Sequence, residues 1–451
     1  MAKADDTNGM ATVSGVDMNA VSGTDTNNLP QWLTRPLSLA DALNTALQEN
    51  AAILEAQSDL KATHGLVVQT RAVALPQVVG NSQYEYTDSH DIENFPGVDQ
   101  PNKNWNGAIQ IQQAIYSGGK LITAIEAAAV TKRQALAVYR TAVENALLDV
   151  RVAYYDVLLA AQQITVREAS VNLLQKEFED QQHRLDAGTV PKFNVLQAEV
   201  AWANERPNLI QAKNNYRIAK NNLANLLGYN LPRGVWEDIP FNLTDGFDTS
   251  SNYTKLPDAI QQALSTRTEL ETARENVQLE KYNVRTARSG YQPTVSVFAG
   301  YDWDNAKFTP PIELDHTIKG WNYGMQMTWD IFDGGLTYGK VEQAKAQYKK
   351  SQTSLDDQSR QIELDVRTAY SDLIQARETL ESQRTVQEEA DEALRESKAR
   401  LSAGTGTQLD VLNAETALTQ ARTTEVQAEH DYSTALVRFR RATGADMAPW
   451  K

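Results

Sequence analysis

The chain repeats itself at a fixed distance of 216 residues, and that repeat limits what it can fold into. Tyr154-Tyr155-Asp156-Val157-Leu158 returns as Tyr370-Ser371-Asp372-Leu373-Ile374. Arg184-Leu185-Asp186-Ala187-Gly188-Thr189 returns as Arg400-Leu401-Ser402-Ala403-Gly404-Thr405, and Val195-Leu196-Gln197-Ala198-Glu199 as Val411-Leu412-Asn413-Ala414-Glu415. Trp105/Trp321, Gly118/Gly334 and Gly228/Gly444 keep the same spacing. Upstream, Leu39-Ala40-Asp41-Ala42 matches Leu256-Pro257-Asp258-Ala259 at 217, as does Pro76/Pro293. One residue was therefore gained or lost between Pro76 and Trp105, where a loop belongs. The 451 residues form two copies of one unit, 37–228 and 254–444, joined by a connector at 229–253 rich in Asn, Pro, Asp, Gly and Ser. Residues 1–36 read as a tail, expected to be disordered, and 445–451 as a short C-terminal tail. Met1–Asn28 lacks the charged-then-apolar pattern of an export signal, so for an exported protein this chain is expected to be a mature or recombinant form.

Each unit reads helix, strand, strand, long helix, helix. The first helix is expected over 38–73, capped by Ser38 and stopped by Pro76, with its copy over 256–289. The period then changes to two. Val78, Gly80, Ser82, Tyr84 and Tyr86 oppose Gln77, Asn81, Gln83 and Glu85 on a strand at 77–87; Trp105, Gly107, Ile109 and Ile111 oppose Asn106, Gln110 and Gln112 on one at 105–116. In the copy, Val295, Val297, Ala299, Tyr301 and Trp303 share a face at 294–303, and Trp321, Tyr323, Met325, Met327 and Trp329 share one at 321–332. Strands of about ten residues, apolar on one side and polar on the other, with aromatics near their ends, carry the signature of a transmembrane β-barrel with a wet interior. Tyr84, Tyr86, Trp105, Tyr301, Trp303, Trp321, Tyr323 and Trp329 are the candidate membrane anchors. The competing reading is a half-buried sheet in a soluble domain.

Next come the long helices, 119–187 and 335–403, each about 100 Å at 1.5 Å per residue. Leu136, Tyr139, Val143, Ala146, Val150, Ala153, Val157, Ala160 and Ile164 follow alternating three- and four-residue steps, the coiled-coil pattern. A second stripe, Leu147, Tyr154, Leu158 and Ala161, lies beside the first, so each long helix needs two helical neighbours. Gly118-Gly119 and Gly334-Gly335 mark strand-to-helix corners. Gly188 and Gly404 end the long helices, and return helices follow at 190–227 and 408–443. Pro207 should kink the first of these, and Asp410 is placed to cap the second or sit in its first turn.

Composition closes off other classes. Hydrophobic residues are 41%, charged residues 22% and the mean hydropathy −0.49, with no apolar run long enough for a membrane-spanning helix. There is no cysteine, hence no disulfide, no thiolate metal site and no acylated N-terminal cysteine. A net charge of −15 argues against nucleic acid as a partner. Four strands cannot close a barrel, and open edges are not tolerated in lipid, so a membrane-spanning sheet of this chain must oligomerise. Two copies give about eight strands, a filled barrel; three give about twelve strands and room for a polar lumen. The expected fold is therefore mainly α with transmembrane β: a homotrimer whose 12-stranded β-barrel continues into a 12-helix α-barrel projecting into water.

The 216-residue duplication, Ile115-Tyr116-Ser117-Gly118-Gly119 with Ile331-Phe332-Asp333-Gly334-Gly335, and the two Arg-Leu-x-Ala-Gly-Thr tips followed by Val-Leu-x-Ala-Glu together resemble the TolC-like outer-membrane efflux family. The resemblance implies a homotrimer in the Gram-negative outer membrane reaching across the periplasm. It implies a passive exit duct for a tripartite efflux pump or a type I secretion system. Its partners would be a periplasmic adaptor protein and an inner-membrane transporter of RND or ABC type. It further implies a gate at the second tip, with Asp410 at its acidic position. Leu401 stands where the family has a gate tyrosine, Gly406 where it has an arginine, and Asn413 where it has a second acid. A gate held shut by salt bridges is thereby put in doubt, and a constriction at Leu401 with a ring of Asp410 carboxylates, open to a cation, is expected instead. Adaptor contact falls to Arg184, Ala187, Gly188, Thr189, Arg400, Ala403, Gly404 and Thr405.

No cofactor and no enzymatic activity are expected. Gly334-x-x-x-x-Gly339-Lys340-Val341 nearly matches a phosphate-binding loop, but Val341 stands where a Mg²⁺-binding hydroxyl is required, so it reads as a strand-to-helix corner. The five histidines, His64, His90, His183, His316 and His430, show no metal-ligand spacing. A soluble coiled-coil scaffold would explain the heptads but not four amphipathic strands. The sequence is silent on cargo.

Overall fold

The computed structural model describes residues 36–88, 90, 103–229, 239, 242–250, 253–305 and 317–445. The two tails, most of the connector and His316 lie outside these residues. Both units carry the expected order: α1 Leu39–Glu49, α2 Ala51–Ala72, β1 Gln77–Tyr86, β2 Lys103–Ser117, α3 Lys120–Asp186 and α4 Lys192–Leu226. They are followed by α5 Leu256–Thr266, α6 Thr268–Arg288, β3 Thr294–Asn305, β4 Thr317–Thr328, α7 Leu336–Ser402 and α8 Gln408–Ala442.

The expected single first helix is two helices in each unit. Asn50 leaves the helical region (φ −66°, ψ 126°) and its side chain accepts from Ile53 N, so one turn ends and the next is capped at one residue. Arg267 makes the same break in the second unit (φ −63°, ψ 124°). Apolar periodicity continued across both breaks and hid them. Ser38 caps α1 as expected, its Oγ accepting from Asp41 N at 3.1 Å. Pro207 lies inside α4, which runs through it unbroken.

The four strands form one antiparallel sheet in the order β1-β2-β3-β4. The two units thus join through β2 and β3, and among the described residues β1 and β4 are the edges of the sheet. Register places Tyr84 beside Trp105, Ile109 beside Tyr301, and Tyr301 beside Trp321. The alternating apolar sets of the four strands therefore share one face, while Val79, Phe298 and Ile318 lie on the other among polar residues. A bulge between Ala114 and Tyr116 inserts Ile115, so that Tyr116 pairs with Val295 and rejoins the apolar face. Alternation alone continued past this point and missed it. β4 ends at Thr328, short of the expected 332, because the chain turns there toward α7.

Among the described residues, no helix covers either face of the sheet. β1 is exposed at every residue, and Trp321, Tyr323 and Met325 are 77%, 84% and 69% exposed. A half-buried sheet of a soluble domain would hide one face, so that alternative fails.

Below the sheet the long helices pair with their return helices, α3 with α4 and α7 with α8, and α8 also packs on α3 across the units. The heptad residues Val143, Ala146, Val150, Ala153, Val157 and Ala160 are buried, as are Leu147 and Tyr154 of the second stripe. In the second unit Ile362, Val366, Leu373 and Leu380 do the same. Two clusters near mid-height of the long helices form the core: one around Tyr154 with Leu37, Leu223 and Ile239, the other around Leu436 with Leu270, Ile362 and Phe439. Each buried aliphatic side chain there is worth about 1.5–3 kcal/mol.

Candidate functional site

The tips are built by glycine geometry. Gly188 (φ 73°) and Gly404 (φ 76°) take the left-handed conformation that ends α3 and α7. Thr189 N and Oγ1 both donate to Arg184 O at 2.9 Å, and Thr405 N donates to Arg400 O at 3.0 Å. Arg184 pairs with Asp180 and Arg400 with Glu396, each one turn back along its own helix. The predicted tip residues Arg184, Ala187, Gly188 and Thr189 thus gather at one turn, and Arg400, Ala403, Gly404 and Thr405 at the other.

The second tip is the more constrained. Thr407, not Asp410, is the N-cap of α8, and Asp410 is the third helical residue of a capping box. Asp410 Oδ2 accepts from Thr407 N at 2.9 Å and from Thr407 Oγ1 at 2.7 Å. The Thr407 hydrogen bonds hold the exposed Asp410 carboxyl below the usual carboxylate range. Gly406 is tightly placed: a Cβ there would stand 3.0 Å from Arg400 Cβ and 3.1 Å from Leu401 N. Leu401 is half-buried against a cluster of Leu394, Val411 and Leu418, whereas Asn413 is exposed.

A polar seam joins this tip to the first unit. Gln181 on α3 is 1% exposed; its Nε2 donates to Gln408 Oε1 at 2.8 Å, and Gln408 Nε2 donates to Glu177 Oε1 at 2.6 Å. Farther up, Thr419 Oγ1 donates to Ser170 Oγ at 3.1 Å. Glu415 is buried and its pKa raised by that burial, with Lys398 Nζ at 3.1 Å. Sequence reasoning missed this seam. Continued past Ile164 in the same steps through Val171, Leu174 and Phe178, the apolar stripe of α3 meets the polar Gln181, and that interruption was the available signal.

At mid-height the connector is laced to both units. Asp245 N donates to Tyr154 OH at 3.3 Å, Lys220 Nζ to Ile239 O at 2.7 Å and Tyr432 OH to Ser250 O at 2.7 Å. Arg440 pairs with Asp248 at 2.9 Å. Arg441 reaches Glu269 at 2.6 Å and Arg267 reaches it at 2.8 Å. Burial works against the Glu269 charge, but the Arg267 hydrogen bond and the Arg441 charge prevail and bring its pKa down to about 2.

At the sheet, Tyr84, Tyr86, Trp105, Tyr301, Trp303, Trp321 and Tyr323 gather toward the end away from the long helices, with Tyr301 edge-on to Trp303 and Trp321 at 4.8 and 5.0 Å. Trp329 departs from them. It lies past β4, and its Nε1 donates to Tyr291 O at 3.2 Å beside the helices. Gly118, Gly119, Gly334 and Gly335 all have positive φ and turn the strands into α3 and α7. In the near phosphate-binding motif, Gly339 and Lys340 are already inside α7, which leaves no loop to wrap a phosphate.

A family model described as outer membrane efflux protein matches residues 42–229 and 259–445, one match per unit. The chain belongs to the outer membrane efflux protein family. It is 23% identical over 412 residues to the outer membrane protein TolC of Vibrio cholerae, covering 90% of each chain. It is 23% identical over 420 residues to the alkaline protease secretion protein AprF of Pseudomonas aeruginosa, covering 90% of this chain and 84% of that one. Its fold matches the solved outer-membrane channel OprN with a TM-score of 0.76 at 19% identity, over 91% of this chain and 90% of that one. The chain is an outer-membrane exit duct of the efflux and secretion class, located in the Gram-negative outer membrane with its helices in the periplasm.

Proposed function

We propose that three copies of the chain close into one tube, a β-barrel of 12 strands above a barrel of 12 helices, through which cargo passes passively. The observation that carries this reading is the seam inside the chain. There β2 pairs with β3 and α3 packs on α8, while β1 and β4 stay unpaired and α4 makes no comparable packing with α7. Because the units are copies, the second unit can meet the first unit of the next chain as the first meets the second. β4 then pairs with β1, and α7 receives α4. Such head-to-tail contacts close into a ring when the rotation allows. The exposed Phe193, Leu196, Val200, Ile210 and Ile218 of α4 suit burial in this second seam.

In that tube the apolar sheet face meets lipid, with one aromatic belt at the outer surface and Trp329 at the periplasmic one. The tips at Gly188 and Gly404 receive a periplasmic adaptor, which joins the duct to an inner-membrane transporter. Leu401, Gly406, Asp410 and Asn413 surround the periplasmic mouth, and three Asp410 carboxylates make it cation-preferring. The Gln181–Gln408–Glu177 seam holds the second tip against the first unit and so keeps the mouth narrow.

Native mass measurement in detergent and single-channel recording in planar bilayers test this reading. The expected result is a trimer with discrete conductance steps. A monomer that stays soluble without detergent and conducts nothing would refute it.

A further inference from the structure

Of the histidines among the described residues only His430 is buried; it lies on α8 at mid-height, facing α3. Its ring bridges two carboxylates. Nε2 is 2.8 Å from Asp156 Oδ1 on α3, and Nδ1 is 3.0 Å from Asp431 Oδ1 on α8. A neutral imidazole carries one N–H and can donate to only one of them, leaving a lone pair facing a carboxylate. Both contacts are satisfied together only by the imidazolium, which donates from each nitrogen.

The surroundings keep this arrangement local. From the connector, the Phe247 ring stands edge-on at 6.3 Å, and the nearby Asp248 carboxylate is occupied by Arg440. From α7, Arg384 pairs with Glu429 of α8. From α4, Asn215 and Asn222 line the groove that Asp156 shares. On α8 itself, Thr434 Oγ1 lies 3.5 Å from Nε2, and Gln427 donates to Asp431 at 2.8 Å.

We propose that His430 is a pH-released clamp between the two units, closed while its ring is doubly protonated and opened by loss of one ring proton as the medium turns alkaline. Burial alone would lower the His430 pKa, but the hydrogen bonds to Asp156 and Asp431 outweigh it and raise the value above 6.5. A raised folded value means that the clamp contributes fully below about pH 6.5 and is lost as pH climbs through the folded pKa. The repeat adds an asymmetry. His430 corresponds to Asn214 and Asp431 to Asn215, while Asp156 corresponds to Asp372. On the trimer reading above, the seam between copies therefore carries amides where the seam within a chain carries an imidazolium. Alkaline pH loosens unit from unit and leaves copy bound to copy.

The full chain in detergent micelles, labelled with ¹³C-histidine, tests the clamp. One ring signal should titrate at higher pH than the others and disappear in His430→Asn, a residue the fold already accepts at the copied position 214. Asp156→Asn should move that signal's midpoint downward. Thermal unfolding between pH 6 and 9.5 should show the wild-type midpoint falling relative to that of His430→Asn, with the trimer intact by native mass throughout. A buried histidine that titrates with the exposed ones, or parallel thermal curves for the two proteins, would overturn the clamp. Dissociation of the trimer over the same range, with the ring signal titrating as expected, would instead overturn the assignment of the clamp to the seam within the chain.

Discussion

Asn50 and Arg267 do the same work at matching corners of the two units. Asn50 Nδ2 donates to Leu226 O at 2.7 Å, and the Arg267 guanidinium donates to Ala442 O at 3.1 Å. The donors are 217 positions apart and the acceptors 216. Each donor fills the break between two short helices and satisfies a carbonyl in the last turn of a return helix, where intrahelical partners run out. Gly228 and Gly444 close against the same corners. A Cβ at Gly228 would lie 2.3 Å from Glu49 O, and one at Gly444 would lie 2.4 Å from Thr266 Oγ1. The two units kept the acceptor and changed the donor.

Asn50→Ala removes both the Leu226 bond and the cap on Ile53 N, and should destabilise the protein by about 1–3 kcal/mol. Asn50→Asp keeps the capping acceptor and loses the donor, so it should fall between wild type and Ala. Denaturant unfolding of the detergent-solubilised protein measures both; equal stability of Asn50→Ala and wild type would contradict the role assigned to this corner.

Glu269 sets an acid limit. Its folded pKa of about 2 lies below the free value of 4.5, so its contribution is complete above pH 4.5 and disappears as pH falls through 2. That gap corresponds to on the order of 3 kcal/mol. Glu269→Gln should be less stable than wild type at pH 7 and should lose less than wild type on acidification between pH 4.5 and 2. Unfolding midpoints across that range distinguish the two proteins.

Met325 and Gln326 are adjacent on β4 and point to opposite faces of the sheet. Met325→Arg puts a charge on the apolar face in mid-strand and should cost about 2–4 kcal/mol in lipid. Trimer yield in the outer-membrane fraction should drop sharply. Gln326→Arg should assemble normally and change only conductance or ion preference. If both variants assembled equally well, the lipid-facing assignment of the Met325 side would be wrong.

Gln408→Ala removes the link from α8 to Gln181 and Glu177, which keep only their hydrogen bond to each other at 3.0 Å. Single-channel conductance should rise relative to wild type. Asp410→Asn removes the carboxylate from the mouth and should lower the cation-to-anion permeability ratio. Its effect on stability should be under about 1–2 kcal/mol, the range for losing a helix cap. Reversal potentials across a salt gradient report the first effect and thermal melting the second.

The periodicities lay open in the sequence because they are local. A two-residue alternation identified the strands, and a seven-residue stripe identified α3 with its buried residues Val143, Val150 and Val157. The same local signals failed where a single residue redirects the chain. Asn50 and Arg267 break helices whose apolar pattern runs on, and Ile115 shifts register by one inside a strand whose alternation looks uniform. Trp329 shares a parity with Trp321 in sequence, yet it falls past the end of β4.

By itself the sequence determined that there are two units, the order of strands and long helices in each, and where strands turn into helices, since repeat, periodicity and glycine punctuation are read along the chain. Only the tertiary structure decided which elements meet. It placed β2 against β3, Gln181 against Gln408, and His430 between Asp156 and Asp431. Apart from the neighbouring His430 and Asp431, those contacts join residues on the order of two hundred positions or more apart in sequence, and their side chains carry no pattern of their own. They come together because burying the stripes of α3, α7 and α8 fixes the angular position and height of each helix, and every polar residue on a buried seam must then find its partner at that height.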